Sequence, residues 1–189
     1  MTESSLNRIS IFLKKESPLL LLGLASLFIT SVFLFNLLGK PSDDEVKWLG
    51  KVTPGKTTEE ELRQAVGEPI KIEQQNGKTI YVYPTTNENR QTTVEIENDK
   101  VQLIEEPVIA KEKGSLNGYI AKFGQPEALI YGQHGFAAPG HFWGSKGVIV
   151  FGNPISSLIV EIWHFPTTNL ATFLQQHPEL RTEPSHEDL

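Results

Sequence analysis

The 189-residue sequence contains no cysteine. Disulfide bonds, thiolate catalysis and thiolate metal sites are therefore all excluded. A lipid anchor attached through a cysteine is excluded for the same reason. Because no covalent cross-link is available, any folded domain in this chain must be stabilised by its hydrophobic core.

Positive charge is scarce in the long segment that follows residue 40. This segment carries 13 Lys and Arg residues against 21 Asp and Glu residues, a formal net charge of −8. Phosphate binding requires clustered Lys and Arg, so the balance argues against nucleic acid as the main partner. Polybasic segments that bind anionic lipid head groups are also absent there.

Charged residues are missing altogether from residues 19–39, a run of 21 residues. That length of apolar helix spans a bilayer core about 30 Å thick, so the run predicts a transmembrane helix. A cleaved signal peptide is the alternative, but its apolar region is shorter, about 7–15 residues, and ends at small residues. The run therefore favours an uncleaved signal anchor.

The charges that flank the run predict its orientation. Basic residues precede it and acidic residues follow it: Arg8, Lys14 and Lys15 on one side, then Asp43, Asp44 and Glu45 on the other. We therefore expect a plasma (inner) membrane protein with residues 1–18 in the cytoplasm and residues 41–189 outside it. Residues 40–51 are interpreted as a stalk.

Two later segments share a pattern at an offset of 57 residues. They are TTEEELRQAVGEP (57–69) and GSLNGYIAKFGQP (114–126). Thr58 and Glu61 form a capping box, and Ser115 can cap the second helix. Gly67 and Gly124, each two residues before a proline, predict the helix ends.

Strand signals follow each predicted helix. Asn76-Gly77 indicates a hairpin, and residues 79–83 and 92–97 alternate in polarity as half-buried antiparallel strands do. The predicted fold class is α+β: an N-terminal transmembrane helix followed by two tandem helix-plus-antiparallel-meander repeats. The repeats are placed at residues 52–110 and 111–180, the second with a closing helix at 168–176, and residues 181–189 are predicted to be a loose tail.

The segment PGKTTEEELRQAVGEP, followed by a meander containing TIYVYP, resembles the BamE/SmpA outer-membrane assembly lipoproteins. The tandem arrangement also resembles the β-lactamase-inhibitor-protein fold. The similarity covers residues 52–107 well and residues 114–166 loosely. Those lipoproteins are anchored through a lipidated cysteine, which this chain lacks. The resemblance implies a non-enzymatic module that binds protein.

Residues 50–57, GKVTPGKT, match the phosphate-binding pattern G-x-x-x-x-G-K-[ST]. A buried strand should precede such a loop, but the polar segment 42–45 stands there instead. The surrounding pattern also lacks the alternating strands and helices of a nucleotide-binding sheet. We therefore interpret the match as a turn that leads into a capped helix, and we expect no nucleotide partner.

No catalytic or metal-binding constellation is visible in the sequence. The five histidines are not spaced for zinc, and no serine lies in a G-x-S-x-G motif. The carboxylates are scattered, and Glu59, Glu60 and Glu61 are the acidic first turn of a helix. The chain is therefore predicted not to be an enzyme and to need neither a cofactor nor a metal.

The glycine-rich segment 132–147 is the best candidate for a binding site, and its candidate partner-binding residues are Phe136, His141, Phe142 and Trp143. Aromatic residues on loops are frequent anchors of protein interfaces. The competing interpretation is that Phe142 and Trp143 belong to a core strand. Of these aromatic residues, Phe136 is expected to be the exposed one.

These observations predict an extracytoplasmic protein-interaction module of the bacterial envelope that binds or scaffolds another envelope protein. Two alternatives stay open: an inhibitor or regulator of an extracytoplasmic enzyme, and an envelope hydrolase whose site the sequence does not reveal.

Overall fold

The computed structural model describes residues 46–85, 89–108 and 113–184. The helices are α1 (Glu59–Val66), α2 (Leu116–Phe123) and α3 (Leu170–Gln176). The strands are β1 (Lys71–Gln75), β2 (Lys78–Tyr83), β3 (Thr92–Glu97), β4 (Lys100–Pro107), β5 (Ala128–Ile130), β6 (Gly140–Trp143), β7 (Val148–Gly152) and β8 (Ile159–His164). Short 3₁₀ turns cover Gly135–Ala137 and Gly144–Lys146.

All eight strands belong to one antiparallel sheet with the order β1-β2-β3-β4-β8-β7-β6-β5. The two halves of the sheet meet where β4 pairs with β8, in a register that places Ile104 opposite His164 and Glu106 opposite Ile162. Successive residues of a strand point to opposite faces, so this register decides which side chains from the two halves share a face.

Local sequence signals determine where the elements of the first half begin and turn. The Thr58 side chain accepts a hydrogen bond from the Glu61 N–H, and the Glu61 side chain accepts one from the Thr58 N–H, so the predicted capping box is confirmed. Asn76 and Gly77 both have positive φ angles, 53° and 80°, as the predicted hairpin requires. The Ser115 cap of α2 is also confirmed, since its side chain accepts from the Gly118 N–H.

Helices α1 and α2 pack on the same face of the sheet. The Leu62 side chain of α1 is fully buried in a cluster that contains Tyr81 and Ile104. Leu116 of α2 is buried in a second cluster with Ile162. Ile104 lies opposite His164 and Ile162 is two residues before His164, so both clusters lie on one side of β4 and β8.

Helix α3 covers the opposite face of the second half. Phe173 of α3 packs in a cluster with Phe142, Trp163 and Phe165. Its ring centroid lies 4.4 Å from that of Phe165 and 5.4 Å from that of Phe142. The second half of the sheet is thus buried on both faces, which explains why β7 is an uninterrupted apolar run.

The predicted fold class, an N-terminal transmembrane helix followed by two tandem helix-plus-antiparallel-meander repeats, is wrong. The described residues form a single eight-stranded antiparallel sheet and three helices. The pairing of β4 with β8 merges the strands that the pattern presents as separate units into one sheet. The periodicity of a sequence predicts where strands lie, but it does not predict which strands pair when they are far apart along the chain.

The predicted membrane-spanning run, residues 19–39, lies outside the described residues. Within the part of the chain that the structure describes, no helix has the length and apolar character needed to cross a bilayer.

Leu62 provides a test of the packing of α1. Replacing Leu62 with alanine removes a buried side chain from the first cluster and leaves a cavity, so the free energy of unfolding should fall by about 2–5 kcal/mol. Chemical denaturation of the purified domain measures this loss. Gln64→Ala, an exposed position on the same helix, is the control and should change stability by less than about 0.5 kcal/mol. Equal effects of the two substitutions would contradict this packing.

Candidate functional site

Three of the four predicted partner-binding residues are buried. His141, Phe142 and Trp143 all lie in β6 and point alternately into the cores on the two faces of the sheet. The Nδ1 atom of His141 is 3.0 Å from the Pro139 carbonyl oxygen, and burial lowers the pKa of the His141 ring. These residues are removed from the candidate binding surface, because a partner cannot reach them without opening the sheet.

Phe136 is the predicted site residue that reaches the surface. It lies in the 3₁₀ turn Gly135–Ala137 and is 42% exposed. Its ring packs edge-to-face on Tyr131, with the ring centroids 5.6 Å apart. The ring therefore packs on an aromatic neighbour while a large part of it faces solvent.

The loop between β7 and β8 presents two further apolar side chains next to this turn. Ile155 is 95% exposed and Leu158 is 54% exposed. Asn153 joins the two loops, since its side-chain N–H donates to the Ala137 carbonyl oxygen at 2.9 Å. We call Phe136, Ile155 and Leu158 the apolar rim.

The backbone beneath the apolar rim is fixed by hydrogen bonds. The Asn153 side-chain oxygen accepts from the N–H groups of Ile155 and Ser156, at 2.9 and 2.8 Å. The backbone N–H of Asn153 donates to the Leu158 carbonyl at 2.8 Å. The exposed isoleucine therefore stands on an ordered turn, and its position does not result from a loose loop.

The segment that matches a phosphate-binding loop forms a turn. The N–H groups of Lys56 and Thr57 both donate to the Thr53 carbonyl, and the Gly55 N–H donates to the Val101 carbonyl at 2.6 Å. Phosphate cradles require such N–H groups to be free to face the ligand. Here they are used inside the protein, as the turn interpretation of residues 50–57 requires.

Two carboxyl groups meet on the α3 face of the central strands. Burial and, second to it, the negative charge of Glu161 raise the pKa of Glu105 to about 7, against a hydrogen bond from Thr93 that lowers it. Burial alone would raise the pKa of Glu161 as well, but the His134 ring, 2.5 Å away, together with Trp163 and Arg90, outweighs burial and holds this pKa below its ordinary value. One carboxyl group can therefore keep its proton near neutral pH beside an ionised one.

The raised pKa of Glu105 predicts a pH-dependent stability. Its pKa in the folded state exceeds that in the unfolded chain, so stability is lost as pH rises from the unfolded value through about 7. Glu105→Gln keeps the acceptor for Thr93 and removes the buried charge. We expect this variant to raise the melting temperature by several degrees near pH 8 and to have little effect near pH 5.

Thermal denaturation at both pH values measures this difference. Glu97→Gln, at an exposed position on the neighbouring strand β3, is the matched control. It should change the melting temperature by the same small amount at both pH values. A gain for Glu105→Gln that is the same at both pH values would rule out the proton-linked explanation.

Glu106, the next residue along β4, is buried on the opposite face. Burial would raise its pKa, but the neighbouring His164 ring and Lys113 ammonium group outweigh this and lower it to about 2. The Lys113 Nζ atom is 2.9 Å from Glu106 Oε1, and His164 Nε2 is 3.8 Å from Glu106 Oε2. Above these groups lies Trp48, which is buried and whose ring centroid is 6.2 Å from that of Tyr83.

Sequence reasoning missed both carboxylate clusters. Glu161 and His164 interrupt the apolar run IVEIWHF of β8, and a polar residue in a buried strand is a signal that could have identified them. Trp48 was assigned to a polar stalk, and no local pattern marks its burial.

In residues 46–85, 89–108 and 113–184, no group of three or more His, Asp and Glu side chains could hold a metal ion.

Comparison with known proteins gives no family assignment. No protein-family model matches the chain, and no curated protein matches it. One similar solved structure is an extracellular protein containing an SCP domain from Bacillus anthracis, with 13% identity and a TM-score of 0.46. Another is a cysteine-rich secretory protein from Staphylococcus aureus, with 10% identity and a TM-score of 0.42.

The matches cover 79% and 70% of this chain but only 55% and 53% of those two proteins. The chain thus spans about half of their length, and at these TM-scores the likeness supports no functional argument. The expectation of a BamE-like tandem repeat is corrected by the single eight-stranded sheet. No membrane-spanning helix occurs among the described residues, and the predicted run at residues 19–39 lies outside them.

Proposed function

We propose that this domain is a protein-binding module that acts outside the cytoplasm and contacts its partner through the apolar rim. The observation that carries the proposal is the 95% exposure of Ile155 on a turn whose backbone is fixed by Asn153. Because the backbone of this turn is already fixed, binding through Ile155 costs little backbone conformational freedom. Phe136 and Leu158 are further exposed apolar side chains on the two loops that Asn153 connects.

The charge of the chain indicates what kind of partner would fit. Residues after position 40 carry a formal net charge of −8. Interfaces are arranged so that the potentials of the two surfaces are complementary. We therefore propose a protein partner with an apolar pocket surrounded by basic residues, and a binding role in preference to a catalytic one. Association should then slow as the salt concentration rises.

Ile155 and Ile72 offer a matched pair of substitutions. Both are exposed isoleucines, Ile155 on the apolar rim and Ile72 on the edge strand β1, where it is 51% exposed. Ile155→Ser and Phe136→Ala should each weaken partner binding about tenfold or more, because interface anchors are worth about 2 kcal/mol. Ile72→Ser should leave binding unchanged.

The measurement is affinity capture from an envelope extract with the wild-type domain, followed by titration of the captured protein against each variant. Melting temperatures of the variants should stay within about 2 °C of the wild type, since surface changes cost little. Equal binding of Ile155→Ser and Ile72→Ser would exclude the apolar rim as the partner-binding surface.

Loss of catalytic activity in a captured enzyme would identify the module as an inhibitor, and unchanged activity would identify a scaffold.

We further propose that residues 41–189 lie at the outer side of the plasma membrane, with the N-terminus in the cytoplasm. Support comes from the basic residues before position 19 and the acidic residues at 43–45. Protease added to intact cells stripped of their outer layers should digest residues 41–189 and spare the N-terminal segment. Full protection of the domain would contradict this location.

A further inference from the structure

Strand β1 forms one end of the eight-stranded sheet, and none of the described strands pairs with its outer edge. Apolar side chains along it lie in solvent, since Ile70 is 57% exposed and Ile72 is 51% exposed. The N–H and C=O groups on such an edge form a template to which a further strand can add. Strand β5, at the other end of the sheet, has only three residues, so β1 is the longer edge.

Two charged side chains on β1 indicate which strand would fit this edge. Lys71 and Glu73 are two residues apart, so they lie on the same side of the strand, where they form an ion pair. Their side chains stay exposed, 64% for Lys71 and 43% for Glu73. A lysine on an edge strand normally discourages pairing. Here Glu73 supplies the opposite charge at the spacing that a second copy of the same strand requires.

Antiparallel pairing of β1 with β1 of a second copy has one register that matches these charges. When the two-fold axis passes through Ile72, Lys71 of each copy lies opposite Glu73 of the other, and the two Ile72 side chains face each other. Opposite charges directly across a strand pair stabilise it, and like charges destabilise it. An axis through Lys71 or Glu73 would place two like charges opposite each other, so those registers are disfavoured.

We propose that the chain forms a two-fold symmetric dimer in which the β1 strands of two copies pair antiparallel about Ile72. The two eight-stranded sheets then become one continuous sheet. Lys71 and Glu73 of both copies alternate in sign on one side of it, and the Ile72 side chains pack together on the other. Strands β2, β3 and β4 separate this edge from the strands that carry the apolar rim, so dimerisation does not depend on the proposed partner surface.

The absence of cysteine allows a direct test in the full chain. Ile72→Cys introduces a single thiol, and in this register it faces its own copy at a Cα–Cα distance of about 4.5–5.5 Å, which suits a disulfide. Gln74→Cys is the matched control at an exposed position on the same side of β1. The two copies of position 74 would lie about 14 Å apart, too far for a disulfide.

The measurement is diamide oxidation of each variant in the membranes of expressing cells, followed by a non-reducing gel. We expect Ile72→Cys to yield at least about fivefold more disulfide-linked dimer than Gln74→Cys, because only its two thiols meet.

Charge reversal tests the register. Lys71→Glu and Glu73→Lys, each combined with Ile72→Cys, should reduce the cross-linked fraction about fivefold, because like charges then lie opposite each other at two places. When these two variants are co-expressed with different tags, the cross-link between the two tagged chains should return, since every carboxylate then faces a lysine.

The proposal is overturned if Gln74→Cys cross-links as efficiently as Ile72→Cys, if either charge reversal leaves the cross-link unchanged, or if co-expression fails to restore it. A cross-link from Ile72→Cys to a different protein alone would assign this edge to that protein and would also overturn the proposal.

Discussion

The pairing of β4 with β8 is the interaction on which the rest of this structure depends. It joins strands that begin 59 positions apart in the chain and makes one sheet from two sets of four strands. Its register also assigns faces, because a slip of one residue would send every side chain of β8 to the other side. Ile104 and His164 then would no longer share the face on which α1 and α2 pack.

This register explains how two adjacent carboxylates of β4 acquire opposite character. Glu105 faces Glu161 across the α3 side of the sheet, where burial and like charge favour its protonated form. Glu106 faces Lys113 and His164 on the other side, where positive partners favour its ionised form. The sequence places the two residues side by side, but strand alternation separates their environments completely.

The second half of the domain is likewise divided between strands that form the core and connections that reach the surface. Strands β6 and β7 are buried on both faces, so the aromatic residues of β6 contribute packing and cannot contribute contacts to a partner. The connections at the ends of these strands remain in solvent, and Asn153 joins two of them into one ordered surface. A rigid core that positions exposed loops is the usual arrangement for binding functions.

The sequence by itself determined the features that depend on neighbours a few residues apart. The Thr58–Glu61 capping box, the Asn76-Gly77 hairpin and the exposure of Phe136 among small residues were all predictable, because their energetics involve one or two turns of chain. Tertiary structure alone decided which strand edges pair, that Trp48 is buried, and that Phe142 and Trp143 are core. Those outcomes depend on contacts between distant segments, and a local pattern of apolar residues is compatible with more than one such arrangement.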